Sequence, residues 1–253
     1  MSSEPKYRAP ALEKGLMILE TLARSSEPMT MSDISAAVSR SRNEIFRMLQ
    51  VLEEMGYISR DTAGAYALTN RLFALGMQQP PIRDLVSTSL PVMHHLAEQA
   101  GQSCQLAVAS GAEMVVIARV EAPGMLGFAV RVGYRRPLHL SASGETILAF
   151  QPERARDQMI DEIERLDPSV SRAALLKTLA AVREAGHVTH HSPVLKGIVD
   201  ISAPILVQAT AMAALTVPFV EGTEDHADID RATALVIEAA DMVSHALEGT
   251  RID

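Results

Sequence analysis

An α+β architecture in two modules is predicted by three features of this 253-residue chain. Residues 30–68 run helix, tight turn, helix, hairpin, which is the order of a winged helix-turn-helix. From residue 82 onward, apolar runs joined by hairpin turns are interrupted by groups of amphipathic helices, the pattern of a mostly antiparallel sheet carrying helices. Between the two, residues 70–81 read as a short helix that stops at Gln78-Gln79-Pro80-Pro81. The expected organisation is a winged module at 10–69, a connecting helix and linker at 70–81, and a second domain at 82–250.

The boundaries within the first module have local causes. Leu12, Leu16 and Leu19 give the opening helix one stripe. Thr30 with Asp33, and Ser41 with Glu44, are spaced as capping boxes, in which a hydroxyl satisfies an orphan backbone N–H and the acid reaches back. Ser39-Arg40-Ser41 is the polar break between the two helices so opened, and Gly56-Tyr57 ends the second. Ile58-Ser59-Arg60 and Ala65-Tyr66-Ala67-Leu68, separated by Asp61 to Gly64, form the hairpin.

The second of these helices carries the chemistry. Ile45, Met48, Leu49 and Leu52 form its apolar stripe, and Asn43, Phe46, Arg47 and Gln50 repeat the spacing on the outward side. Arg can bond guanine bidentately, Asn and Gln can bond adenine, and Phe can touch a thymine methyl. Arg40, Ser41, Arg42 and the first-turn N–H groups suit phosphate, as does Arg60 in the hairpin. An amphipathic helix with a merely solvated polar face would share much of this pattern. The hairpin and the wet Phe46 favour a reader of double-stranded DNA.

In the second domain, Ile82, Leu85, Val86, Leu90, Met93, Leu96 and Ala97 mark a helix ending at Gly101, with Pro91 able to kink it. Cys104 to Ala109 and Met114 to Val120 form a hairpin, and Leu126 to Val132 a third strand. Helices are expected at about Ser143 to Phe150, Pro152 to Leu166 and Ser171 to Ala185. Strands follow at His187 to His191, Val199 to Leu206 and Ala211 to Val220, then a last helix from about Ala227 to Glu248. Helices on one face of such a sheet would leave the other free for a small-molecule cavity.

Composition narrows the function classes. No run of about 18 uncharged apolar residues exists, so no membrane span is expected. The polar N-terminus lacks the apolar core of a secretion signal, and a single cysteine, Cys104, excludes an internal disulfide and fits a reducing cytoplasm. Four Tyr, five Phe and no Trp argue against an extended base-stacking surface for single strands. Residues 1–71 hold nine Lys/Arg and nine Asp/Glu, so the basic footprint usual in a DNA-binding domain is missing. Phosphate contacts per subunit are therefore expected to be few and to be multiplied by assembly into a dimer or tetramer.

The chain resembles the IclR family of bacterial transcriptional regulators. The resemblance runs through Ala11 to Leu19, Ile45-Phe46-Arg47-Met48-Leu49, Leu52 to Tyr57 and Tyr66-Ala67-Leu68. It continues with Arg131-Val132-Gly133, Pro137-Leu138-His139, Ser143-Gly144, Gly197 and Ala203-Pro204-Ile205. It implies a GAF-like or profilin-like C-terminal domain that binds a small-molecule effector, an organic or hydroxy-acid metabolite. The implied cavity lining comes from Ala142, Ser143 and Gly144 at a helix start, from His190, and from Asp200 with Thr216 and Pro218. Arg136 and His139 stand just before the first group and are within reach of it. Relatives binding small organic acids usually carry an acid at the position of His190 and a cysteine at that of Asp200, so the ligand does not transfer directly.

No cofactor is expected. His190, His191 and Asp200, with His139, match no established metal-ligand spacing. Cys104 sits in an apolar strand pattern, where a free cysteine is usually a small core residue. No nucleophile elbow, phosphate loop or dinucleotide fingerprint is present. The alternative to a DNA-binding regulator is a small-molecule enzyme or metal-dependent hydrolase with an accessory helical domain.

Overall fold

The computed structural model describes residues 9–123, 128–220 and 228–249. The chain divides into two compact units, one up to Ile82 and one from Arg83 on.

The first unit is built from α1 (Pro10–Arg24), α2 (Met31–Ala37), α3 (Arg42–Glu54), β1 (Ile58–Arg60), β2 (Tyr66–Leu68) and α4 (Arg71–Met77). Thr30 caps α2 reciprocally: its Oγ1 accepts from Asp33 N–H at 3.3 Å, and its own N–H donates to Asp33 Oδ2 at 3.1 Å. β1 and β2 pair antiparallel, Ile58 opposite Leu68. Met29 adds a bridge by exchanging two backbone bonds with Tyr66, so the wing has a partial third strand. Gly64, at φ +86°, closes the hairpin turn in the left-handed region that favours glycine. Ile18, Leu22, Ile34, Ile45, Leu49, Ile58 and Tyr66 make the core. The stripe expected on α1 is split: Leu19 is buried, whereas Leu12 and Leu16 are exposed.

In the second unit α5 (Pro80–Ala100) starts two residues before the sequence pattern suggests. Proline's fixed φ and missing N–H suit the first turn of a helix, so Pro80-Pro81 open α5 instead of merely stopping α4. Then come β3 (Cys104–Ser110), β4 (Glu113–Val120), β5 (Arg135–Pro137), a 3-10 turn (Leu138–Leu140), α6 (Ala142–Ala149), α7 (Glu153–Leu166) and α8 (Arg172–Ala185). β6 (Val188–His191), β7 (Ile198–Val207), β8 (Thr210–Val220) and α9 (Ile229–Gly249) complete it. The sheet is antiparallel throughout, in the order β5-β4-β3-β8-β7-β6.

Two expectations are corrected. The third strand is β5, not Leu126 to Val132. Leu126 and Gly127 lie outside the described residues, and 128–132 form no strand. Phe128 and Val130 line a cavity instead, with Gly133 (φ +84°) turning the chain into β5. Helices also cover both faces of the sheet, not one. α5 and α9 pack through Leu85, Met93, Val236 and Val243 on one face, and α6 to α8 through Leu148, Ile160 and Leu179 on the other. β4 serves both layers, Met114 and Val116 facing α6 to α8 and Ala118 and Val120 facing α5 and α9. The register shift opposite Leu106/Ala107 permits this, because one extra residue inverts the side-chain alternation.

Candidate functional site

Two sites emerge, one on each unit. On the first, α3 presents Arg42, Asn43, Phe46, Arg47 and Gln50 to solvent, and Phe46 is 44% exposed although it is a large apolar residue. Arg40 and Ser41 lead into the helix, also exposed. Ser41 is held by Glu44, whose Oε2 accepts from its N–H at 3.0 Å and from its hydroxyl at 2.9 Å. Glu44 also pairs with Lys14 of α1, Nζ to Oε1 2.9 Å. These bonds, the one from Lys14 above all, hold its carboxyl down at about 2. In the wing, the Arg60 guanidinium sits 5.4 Å from the Tyr66 ring centroid, which keeps an exposed cation in place. The predicted set thus shares one exposed face and its adjoining hairpin.

On the second unit a cavity of about 260 Å³ opens where α6 leaves part of the sheet uncovered. Gln105, Asp200 and Thr216 line it from the sheet, and Ser141, Ala142 and Ser143 from the start of α6. Phe128, Val130, Arg131, Tyr134, Arg136 and Leu140 form one side, and Ser192 to Leu195 the loop opposite. Ser141 opens α6 by accepting from Gly144 N–H at 3.2 Å. Ser143 Oγ lies 2.9 Å from Thr216 Oγ1, which donates to Ser202 Oγ at 2.8 Å. A hydroxyl has one proton to give, so Ser143 supplies the one between itself and Thr216.

Among the expected residues, Arg136, Ala142, Ser143, Asp200 and Thr216 are on the wall. Gly144, His139, His190 and Pro218 are not among the described lining residues. Gly144 is where the backbone of the 3-10 turn crosses α6, and a Cβ there would overlap the Leu138 carbonyl and Cα. Its smallness serves that crossing, not a ligand's approach. His139 is turned toward Asp167, Nε2 to Oδ2 3.9 Å, and burial lowers its pKa. His190 and Asp200 do not face each other across a gap. They are neighbours in the β6–β7 register, and Asp200 is likewise opposite Pro218 on β8. Among the described residues no group of three or more His, Cys, Asp or Glu is arranged to hold a metal.

Several wall residues carry no motif. Phe128, Val130, Tyr134 and Leu140 read as ordinary strand or turn residues, and Ser192 to Leu195 as a plain loop. Gln105 did leave a signal, being the one polar residue in the apolar run from Cys104 to Ala109.

Glu145 is the other missed group. Its Oε2 lies 3.4 Å from His190 Nε2, and this bond raises the His190 pKa against the opposing effect of burial. A histidine raised on folding contributes stability that is complete below its unfolded value, near 6.5, and is lost as pH climbs through the raised value. The melting temperature is therefore expected to fall as pH rises from about 6.5 through the raised value. Glu145→Gln should flatten that slope, and an equal slope in the variant would show that another group causes it. Burial moves Asp200 the other way in charge, raising its pKa and so favouring the neutral acid, while Ser192, His190 and Arg136 oppose this.

Residues 81–245 match the bacterial transcriptional regulator IclR C-terminal domain, and residues 11–62 match the IclR helix-turn-helix domain. The chain belongs to the IclR family. Like other IclR-family members, it is a DNA-binding transcriptional regulator and not an enzyme. It is 30% identical over 211 residues to the HTH-type transcriptional repressor AllR of Salmonella paratyphi A, covering 81% of this chain and 78% of that protein. To AllR of Escherichia coli K12 it is 29% identical over 202 residues, 78% of this chain and 74% of that protein.

Solved IclR-family structures share its fold. An IclR homolog from Microbacterium hydrocarbonoxydans, complexed with 4-hydroxybenzoate, superposes with a TM-score of 0.78 at 23% identity, covering 94% of this chain and 99% of that one. Pseudomonas aeruginosa HmgR gives 0.70 at 24% identity, with the same shares of 94% and 99%. No helix among the described residues is long and apolar enough to cross a membrane.

Proposed function

We propose that this IclR-family regulator works in the cytoplasm as a dimer or dimer of dimers, and that a small organic acid, favourably a hydroxy-acid, controls its hold on operator DNA. The observation that carries the reading is the cavity beside α6, which Arg131, Arg136 and Asp200 all line. Either guanidinium can bind a carboxylate in bidentate fashion, and Asp200 can accept from a hydroxyl. The 4-hydroxybenzoate held by a structural neighbour is a ligand of this class. Effector binding shifts the population of DNA-competent arrangements through α4 and the residues after it.

Self-association is supported by an apolar cleft on the first unit. Leu12 and Leu16 of α1, Val51 and Met55 of α3 and Leu72 of α4 line it, each at least 40% exposed. Contiguous apolar surface of this kind marks an interaction site. A module with no net charge also gains too little from its own phosphate contacts to hold DNA unaided. Light scattering is expected to give at least a dimer at micromolar concentration. A monomer that still bound operator tightly would overturn this part.

The test of the effector reading is calorimetry against aromatic and aliphatic hydroxy-acids, followed by operator release in a gel assay. Asp200→Ala is expected to weaken the binding acid about 10-fold or more, the scale of one lost hydrogen bond to a charged group. Undiminished binding in both Asp200→Ala and Arg136→Ala would remove the effector from this cavity.

A further inference from the structure

One wall residue of the cavity carries a buried polar atom that no other described group satisfies. Gln105 is 6% exposed, and its Oε1 is buried without a hydrogen-bond partner among the described residues. The residue lies on β3 directly opposite Thr216 of β8, and both line the cavity. A buried amide carbonyl without a partner costs the desolvation of that group, and native cores seldom keep one that serves only packing. The strand around it is otherwise apolar, Cys104 and Leu106 going to the core on the opposite face. An apolar side chain at position 105 would be the simpler solution for the fold alone.

Its neighbours face the cavity with the same polarity. The Ser143 proton is engaged by Thr216, so Ser143 Oγ is left with acceptor lone pairs, and the Thr216 proton goes to Ser202. Asp200, on the same sheet face two residues before Ser202, is an acceptor when ionised. The cavity wall therefore offers acceptors from Gln105, Ser143 and Asp200, and donors from Arg131 and Arg136.

Building on the effector reading above, we propose that Gln105 is a specificity-determining residue of the cavity. Its carbonyl accepts from an N–H or O–H on the buried end of the effector. The ligand class is thereby narrowed to small acids with a hydrogen-bond donor at the end remote from the carboxylate, such as a hydroxyl or a primary amide. Acids whose remote end is only apolar or only accepting are rejected, because they leave Gln105 unsatisfied. A site built to bond a ligand donor discriminates against an analogue lacking it much more strongly than an apolar pocket does.

Two measurements on full-length protein test this. The first needs no ligand: melting temperatures of wild type, Gln105→Met and Gln105→Leu. If the amide is held for a ligand, removing it leaves the temperature unchanged or raises it by about 2–4 °C. A fall in both variants overturns the proposal, since the glutamine would then serve the fold. The second is calorimetry with matched acids: 4-hydroxybenzoate against benzoate and 4-methoxybenzoate, and 4-hydroxybutyrate and succinamate against butyrate. Wild type is expected to prefer the donor-bearing member of a pair by roughly 30-fold or more, and Gln105→Met to lose most of that preference. A preference that is absent in wild type, or intact in both variants, overturns the assignment. If none of the acids binds while the variants melt higher than wild type, the small-acid reading fails and the ligand-facing role of Gln105 is supported independently of it.

Discussion

Arg47→Ala is expected to weaken binding to the cognate operator by about 5- to 150-fold, or ~1–3 kcal/mol, with little effect on random DNA. Arg47 is one turn past Asn43 on the exposed side of α3, beside the exposed Phe46. A residue one turn into a groove-facing helix reaches base edges, where a bidentate bond to guanine discriminates by this amount. Arg42, in the first turn, is expected to meet phosphate. Its alanine variant should weaken both DNAs alike and make binding less steeply dependent on salt. Fluorescence anisotropy on the two DNAs across a salt series separates the roles. Equal losses on both DNAs for Arg47→Ala would mean that this arginine holds the backbone and reads nothing.

Gly144→Ala is expected to cost more than ~3 kcal/mol, lowering the melting temperature by roughly 6–12 °C. The added methyl would lie on the backbone of Leu138, which a side-chain rotation cannot clear. Relief requires the 3-10 turn to move away from α6, and Leu138 is fully buried there. Leu140 within that turn and Arg136 and Ser141 beside it line the cavity, so the displacement would also distort the wall. Gly15→Ala in α1 is the control: nothing lies within 4 Å of its added methyl, and alanine favours helix. Thermal unfolding of the two variants checks this. An unchanged melting temperature for Gly144→Ala would mean that the turn yields freely.

Elements with local causes were legible in the sequence. The Thr30–Asp33 and Ser41–Glu44 spacings placed the starts of α2 and α3, because a capping box closes within one turn. Gly186, at φ +81°, likewise marked the end of α8. Contacts distant in sequence were not legible. His190 finds its partner in Glu145, 45 positions earlier on α6, and no spacing rule links a strand to a helix across the sheet. The run ending at Val132 has the composition of a strand, but Phe128 and Val130 within it meet a cavity, where the same composition is equally satisfied. Coverage of both sheet faces escaped for a related reason. The inversion within β4 depends on the register with β3, which a single strand does not reveal.

The bond between Lys14 and Glu44 bears on the missing positive charge of the first module. A tally gives every charge equal weight, but a DNA phosphate responds to position. Glu44 is the only acid in the first turn of α3, and Lys14 approaches it from α1. Glu44, its carboxyl held low by that lysine and by Ser41, is engaged in an ion pair at the helix entrance. Its repulsion is thereby taken out of the helix entrance, leaving Arg40, Arg42 and Arg47 exposed on the same stretch. The module is neutral in sum yet uneven in space, with exposed arginines gathered at the N-terminal half of α3. Attraction to DNA is thus confined to the approach that presents this helix, and a surface so sorted favours orientation over indiscriminate adhesion.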